Sequence, residues 1–190
     1  MAIPNSLNFG AARLKGRARG ALVCSVFGAG WMFHALVVGA VATPAWLAVI
    51  GLFAVAFVVW PVVQLNSLRR LAYLSADRQF WPAVSKAFWS IVAIEWLALN
   101  AATNWLRHIG HSDLIPQFMG VIVGLHFLPL AKIFKALIYC WTGIAMVLGS
   151  LASLVVPAEH TRAIVACGLS GLSLWATAAV ILCQDKASSR

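Results

Sequence analysis

Long apolar runs, more than any motif, decide what this chain can fold into. A transmembrane helix needs about 20 predominantly apolar residues, and the sequence offers six runs near that length. Because 62% of the 190 residues are hydrophobic and only 10% are charged, against roughly 45–50% and 25% in soluble domains, the chain lacks the surface of a soluble protein. We predict an all-α integral membrane protein, a six-helix bundle in a single domain, residues 1–190. The predicted spans are 20–42, 45–64, 84–103, 114–131, 136–156 and 162–183.

Lysine and arginine fall on one side of the predicted membrane. With six spans, twelve of the fourteen share the side of the two termini, and only Arg107 and Arg162 lie opposite. Cytoplasmic segments are enriched in these residues, so both termini are predicted to be cytoplasmic. Topology thus accounts for the net charge of +9. It predicts anionic lipids at the cytoplasmic face as partners, and no nucleic acid; the sequence identifies no protein partner.

The first apolar run begins like a secretory signal peptide, after a basic stretch, and it ends at Ala40-Val41-Ala42. A signal peptide has an apolar core of about 7–15 residues, however, so the longer run 20–42 favours an uncleaved first helix over a cleaved leader. The short polar tails and the lack of a separate targeting segment favour the inner membrane of a bacterium.

Three ionisable side chains fall deep in the predicted spans: Glu95, His126 and His34. A charged side chain at the centre of a bilayer costs about 2.5–3.5 kcal/mol even on a lenient scale, so such residues usually face a partner or a cavity. At 1.5 Å per residue the three lie within about 10 Å of one another in depth. A carboxylate and imidazoles at this level would suit a proton relay or a polar solute site. The structural alternative is interhelical hydrogen bonding, worth about 0.6 kcal/mol per contact.

A polar stripe leads outward from the third span. At 100° per residue its members cover an arc of about 100° on one helical face, and Glu95 lies about 140° from Asn100 on another face. The stripe predicts an outer vestibule, metal binding by His108 and His111, or an amphipathic helix end in the headgroup layer. His108 and His111 face the same way only if the helix continues between them, and Gly110 favours a helix end there. The stripe consists of Asn100, Asn104, Arg107, His108 and His111.

Small residues predict close helix packing in the fourth span. Gly120-x-x-x-Gly124 lets two helix backbones approach, either within the chain or at a dimer contact. The four cysteines stand singly inside apolar runs, where cysteine behaves as a small hydrophobic residue. The sequence has no phosphate-binding loop, no haem-attachment motif and no His-Glu-x-x-His motif. No cofactor is therefore predicted, and no metal site apart from the alternative at His108 and His111.

One segment carries a resemblance to known proteins. Gly124-Leu125-His126-Phe127-Leu128-Pro129, followed by Phe134-Lys135, resembles a segment of a family of small bacterial multi-pass membrane proteins of uncharacterised function. The basic entry Arg19-Gly20 and the following apolar helix with Trp31 are similar to that family's start. The resemblance is local and covers about a quarter of the chain. It implies a compact helical membrane protein and directs attention to His126, but it implies no substrate or reaction.

Two functional hypotheses of different classes follow from these features. The first is a small-solute or proton-linked permease, with Glu95, His126 and His34 around a central polar site. The second is a non-transporting scaffold or regulatory subunit, with a dry centre and an exposed small-residue face at Gly120 and Gly124. An enzyme is the least favoured class, because no nucleophile–base pair or metal-ligand set is recognisable in the sequence.

Overall fold

The computed structural model describes residues 10–68, 75–134 and 136–187 of the chain. In these ranges it contains six α-helices, one short 3₁₀ turn and no strand. The all-α prediction is therefore confirmed, and each helix overlaps one of the six predicted apolar runs. The helices are α1 Gly10–Val38, α2 Pro44–Ser67, α3 Ser75–His108, α4 Ile115–Phe134, α5 Leu137–Ser153 and α6 Glu159–Ala187, and the turn is Ser112–Leu114.

Several of these helices suit a membrane. Within the described ranges, α1, α2, α4 and α6 are long and apolar enough to cross one, whereas α5 is apolar but has only 17 residues. The middle of α3 is less apolar because it carries Glu95 and two asparagines, Asn100 and Asn104. The large apolar side chains exposed along α2, among them Leu52 and Val55, are typical of a surface that faces lipid rather than water.

The helices alternate in direction. Arg17 near the start of α1 donates a hydrogen bond to Gln184 near the end of α6, whereas His160 at the start of α6 contacts the carbonyl oxygen of Val38 at the end of α1. The helices pack in the spatial order α2, α1, α6, α5, α4, α3, and α4 also touches α6. As a result α1, α3 and α5 begin at one end of the bundle, which we call the basic end, and α2, α4 and α6 begin at the opposite end.

The core lies between α1, α4, α5 and α6. Its fully buried side chains include Met146, Leu174 and Leu182, and Trp175 donates its indole N–H to the carbonyl oxygen of Ser25 across the α1–α6 contact, at 3.1 Å. The helices α2 and α3 lie at the two ends of the spatial order, and each has one extensively packed neighbour. Helix α3 is therefore an outer helix, attached to the core by α4.

Two residues with positive φ end helices and shift their bounds from the predicted ones. Gly110, with φ 77°, ends α3 in a Schellman motif in which the N–H of His111 bonds to the carbonyl oxygen of Leu106 at 2.9 Å. The helix thus runs to His108, five residues beyond the predicted span. Ala40, with φ 52°, ends α1 in the same way, so α1 stops at Val38 rather than at residue 42.

Ala40 offers a test of this helix end. An L-residue in the left-handed region costs roughly 1–2 kcal/mol, and glycine avoids most of that cost. We expect Ala40→Gly to raise the free energy of unfolding by about 1 kcal/mol, measured by thermal unfolding of the purified protein in detergent. The control, Ala101→Gly at an exposed position inside α3, is expected to lower it by about the same amount. Destabilisation by both variants would contradict this assignment.

Candidate functional site

The candidate site lies in the contact between α3 and α4. Ring contacts mark its two ends: Phe88 meets Phe134 near the basic end, and Trp105 meets Phe118 near the opposite end, each with ring centroids 6.3 Å apart. Between them, one face of α3 is shielded at helical spacing, and Glu95 is central to that face. The shielded residues of this face include Phe88, Ile91, Val92, Glu95, Leu99, Ala102 and Leu106.

Glu95 and His126 meet across this contact. Oε2 of Glu95 lies 3.1 Å from Nδ1 of His126, and the two side chains retain 18% and 9% of their accessible surface. The two atoms are within hydrogen-bonding distance, but their orientation is not that of a hydrogen bond. With one shared proton the pair is either a carboxylate beside an imidazolium or a carboxylic acid beside a neutral imidazole, and both forms have zero net charge.

The pair lies far from both ends of α4. His126 is 11 residues after the first residue of the helix and eight before the last, which places it about 16 Å and about 12 Å from them. Pro129 follows three residues later within the same helix. Because proline has no backbone N–H, the carbonyl oxygen of Leu125 beside His126 lacks its usual donor in the helix. A carboxylate, an imidazole and a backbone carbonyl without its helical partner therefore occur at one level.

This arrangement suits a proton rather than a larger ligand. A carboxylate and an imidazole in contact hold one proton at zero net charge, and they can gain or lose another without moving far. The side chains around them on α3 are apolar and pack against α4. The only other basic side chains described on these two helices towards the basic end are Lys86 and Lys132, nine and six residues away along their respective helices.

His34, the third residue of the predicted mid-membrane site, lies elsewhere. It is exposed on α1, which packs against α6 and α2. Among the described residues it takes part in no hydrogen bond or ion pair with Glu95 or His126. The structure therefore brings together two of the three residues that depth alone grouped, and the site spans α3 and α4 rather than the centre of the bundle.

The polar stripe of α3 faces away from the core. All five of its members are exposed, and the four that belong to α3 lie on the side of the helix opposite Glu95. Asn100 donates a hydrogen bond to the carbonyl oxygen of Trp96 in its own helix. His111 lies beyond the helix end at Gly110, so it does not continue the helical spacing of His108. In the portion of the chain that the structure describes, no three His, Cys, Asp or Glu side chains form a group suited to a metal ion.

An ion pair that the sequence analysis missed closes the opposite end. Arg162 in α6 donates to Oδ2 of Asp113 in the 3₁₀ turn before α4, at 2.6 Å, and His111 lies 4.0 Å from the other carboxylate oxygen. Each partner is about three-quarters buried or more. The sequence did contain a signal for this pair, because Asp113 and Arg162 each border a predicted span on the same side of the membrane. The pair joins the start of α4 to the start of α6.

Removing one partner of this ion pair should cost stability. We expect Arg162→Met to lower the free energy of unfolding by about 1.5–3 kcal/mol, the range for a hydrogen bond to a charged group, because Asp113 loses its donor. Arg107→Met is the control, since Arg107 is exposed on α3, and it should change stability by less than about 0.5 kcal/mol. Chemical denaturation in detergent measures both, and equal effects would contradict the role of the pair.

Gly120 and Gly124 pack inside the bundle. A Cβ atom on Gly124 would lie 2.9 Å from the carbonyl oxygen of Gly143 in α5, and one on Gly120 would collide with the hydroxyl of Ser150. At both glycines α4 thus packs closely against α5 within the chain. These glycines form no exposed small-residue face, which the scaffold hypothesis had placed here.

Comparisons with known proteins add no family to this description. Models of protein families, curated protein sequences and solved structures were each compared with the chain, and none of them matches it. The contact between Glu95 and His126, held by α3 and α4, is therefore the feature that bears most directly on function.

Proposed function

We propose that the chain crosses the membrane six times, with the basic end of the bundle and both termini in the cytoplasm. The alternating helix directions support an even number of crossings. Of the basic residues whose side chains are described, five belong to the basic end and two to the opposite end, as the positive-inside rule requires. Anionic lipids are the partners expected there. The five are Lys15, Arg17, Arg19, Lys86 and Lys132, and the two are Arg107 and Arg162.

The proposed location is the inner membrane of a bacterium. It is supported by the local resemblance of residues 124–129 and of Phe134-Lys135 to small bacterial multi-pass proteins. Of these residues, Lys135 lies outside the part of the chain that the structure describes. Reporter fusions test the orientation: a cytoplasmic reporter should be active after Arg190, and a periplasmic reporter should be active within residues 157–161. A periplasmic signal after Arg190 would contradict six crossings.

We infer that Glu95 and His126 form the proton-binding site of a proton-linked permease for a small solute. The observation that carries this proposal is the 3.1 Å contact between their side chains in the middle of an apolar helix contact. Placing an ionisable side chain at this depth in a membrane costs free energy. Two such side chains in contact form a site that can exchange a proton. Since α3 is an outer helix attached mainly to α4, a change in the protonation of the pair acts on the contact that holds α3.

Solute uptake driven by a proton gradient tests the proposal. Purified protein is reconstituted into vesicles with an imposed pH gradient and exposed to a mixture of amino acids, hexoses and carboxylic acids. Mass spectrometry then identifies what accumulates inside. We expect one class of solute to accumulate only with the gradient, and Glu95→Gln and His126→Gln to abolish this accumulation.

Two matched controls separate the pair from other ionisable residues. Glu159→Gln removes an exposed acid at the start of α6, and His34→Gln removes an exposed imidazole of α1. Both variants should transport as the unmodified protein does. Accumulation that persists in Glu95→Gln, or that is lost equally in Glu159→Gln, would contradict a proton role for the pair.

A non-transporting scaffold or regulatory subunit remains the second candidate, because one observation favours it. The helices α1, α4, α5 and α6 form a closely packed core, while α2 exposes apolar side chains along its length. In a scaffold, the Glu95–His126 contact fixes how α3 attaches to α4. If the chain is a scaffold, it acts by holding another protein. We then expect a Glu95→Leu, His126→Leu double variant, in which α3 stays attached to α4, to leave the activity of that bound protein unchanged.

A further inference from the structure

Two buried hydroxyl groups lie where α4, α5 and α6 meet. Six serine and threonine side chains are buried in the described part of the chain, and four of them donate to a carbonyl oxygen one turn earlier in their own helix. Ser150 and Ser170 do not, and their hydroxyl oxygens have no hydrogen-bond partner among the residues that the structure describes. Both side chains have 0% exposure.

The two hydroxyls point to the same place. A Cβ atom on Gly120 would touch the hydroxyl of Ser150 and lie 3.2 Å from the hydroxyl oxygen of Ser170. Ser150 belongs to α5, Ser170 to α6 and Gly120 to α4, so the three residues define a three-helix junction. The other buried hydroxyls donate a hydrogen bond to a carbonyl oxygen of their own helix. The hydroxyls of Ser150 and Ser170 instead face this junction.

Polar groups also lie between the junction and the opposite end of the bundle. The amide of Gln117, one turn before Gly120 and 2% exposed, faces the carbonyl oxygens of Leu114 and Asp113 at 3.1 Å each, and it donates to both when its nitrogen is assigned to that side. Arg162 beyond it has a buried Nε atom without a partner among the described residues. From Arg162 to Ser170 is eight residues of α6, or about 12 Å. Three of the five buried side-chain atoms that lack a protein partner in the described structure therefore lie along this path.

We propose that water enters the bundle from the opposite end and binds at the three-helix junction, bridging the hydroxyls of Ser150 and Ser170. Leaving a buried hydroxyl without a partner is costly, and buried water commonly satisfies such groups. Water is the ligand that the chemistry favours, because the lining groups are neutral hydroxyls and an amide, and the charges of Arg162 and Asp113 at the mouth cancel. The junction and the path to it share no residue with the Glu95–His126 pair. Solvent thus enters through the core and not along the exposed stripe of α3.

A double-mutant cycle tests the bridge. Ser150→Ala, Ser170→Ala and the double variant are compared by thermal unfolding in detergent, with Ser25→Ala as the control for a buried hydroxyl that bonds to its own helix. A shared water predicts that each single variant lowers the unfolding midpoint. The double variant should then lower it by less than the sum, because the second substitution removes a water already lost.

Deuterium exchange of cysteine thiols tests the path with a probe of the size of water. In a background in which the four native cysteines are alanine, the S–H infrared band of Ser150→Cys and of Ser170→Cys should shift to the S–D position soon after transfer to D₂O. The thiol of Ala178→Cys, equally buried two turns further along α6, should exchange much more slowly. Sub-additive destabilisation together with this exchange supports the proposal. An unchanged or raised midpoint, an additive loss, or serine-site thiols that exchange as slowly as the thiol of Ala178→Cys would overturn it and indicate a dry junction.

Discussion

His126→Leu is expected to lower the free energy of unfolding by about 3 kcal/mol, the lower end of the range for breaking a buried ion pair. The physical reason is that Glu95 stays in the apolar contact between α3 and α4 without its partner. Glu95→Leu should cost less, about 1 kcal/mol, since the imidazole left behind can remain neutral. Equilibrium denaturation in detergent measures both variants.

The double variant separates stability from function. Replacing both partners of a buried pair by apolar residues of similar size is often neutral or stabilising. We therefore expect Glu95→Leu combined with His126→Leu to unfold within about 1 kcal/mol of the unmodified protein but to have lost proton-dependent uptake. His34→Leu, at an exposed imidazole, serves as the control and should be nearly neutral. If His126→Leu lowered the free energy of unfolding as little as His34→Leu does, the contact between Glu95 and His126 would contribute nothing to stability.

Gly143→Ala is expected to have a similarly large effect on stability, about 3 kcal/mol, at the upper end of the usual range for overpacking. A Cβ atom there would lie 2.5 Å from the carbonyl oxygen of Gly124. That oxygen is backbone and cannot rotate away, so α4 and α5 would have to separate. Helix α4 carries His126 on its other face, and we therefore expect Gly143→Ala to impair uptake as well.

Gly30→Ala is the matched control for this prediction. Gly30 lies inside α1, and a Cβ atom there would meet no other atom within 4 Å. Alanine is the better helix former, by roughly 0.8–1.0 kcal/mol, so this variant should be slightly more stable than the unmodified protein. Thermal unfolding in detergent compares the two, and equal stability of Gly30→Ala and Gly143→Ala would contradict close packing between α4 and α5.

The sequence predicted the helices well because apolar length is a local property. Each of the six apolar runs overlaps one helix. The largest departures are at helix starts, because α1 and α3 begin ten and nine residues before the predicted spans, in polar stretches that apolar length does not count. At the ends of α1 and α3 the departures arise at single residues. Ala40 adopts a left-handed conformation that the apolar pattern does not record. At Gly110, by contrast, glycine is a recognisable signal for the end of α3.

The candidate site was predictable only in part, because depth is local and helix neighbours are not. Counting residues placed Glu95, His126 and His34 at a similar level. Which of them meet depends on helix rotation and on the packing of α3 against α4 rather than against α1, and a single sequence contains no direct signal for that. For Asp113 and Arg162 the sequence indicates a shared side of the membrane but not the contact itself. The junction of Ser150 and Ser170, whose members are 20 residues apart in the chain, has no such signal.

Infrared titration of the protein in lipid vesicles tests the central claim most directly, because it observes proton binding without knowledge of the solute. Because the chain has five acidic side chains, the band of Glu95 is obtained as the difference between the spectra of the unmodified protein and Glu95→Gln. We predict a protonated-carboxyl component in this difference that appears reversibly as the pH falls and titrates over a shifted pH range when His126→Gln is the background. The same component should persist, with the same titration, in the Glu159→Gln and His34→Gln backgrounds. The absence of such a component, or a titration that ignores the loss of His126, would contradict a proton-binding pair.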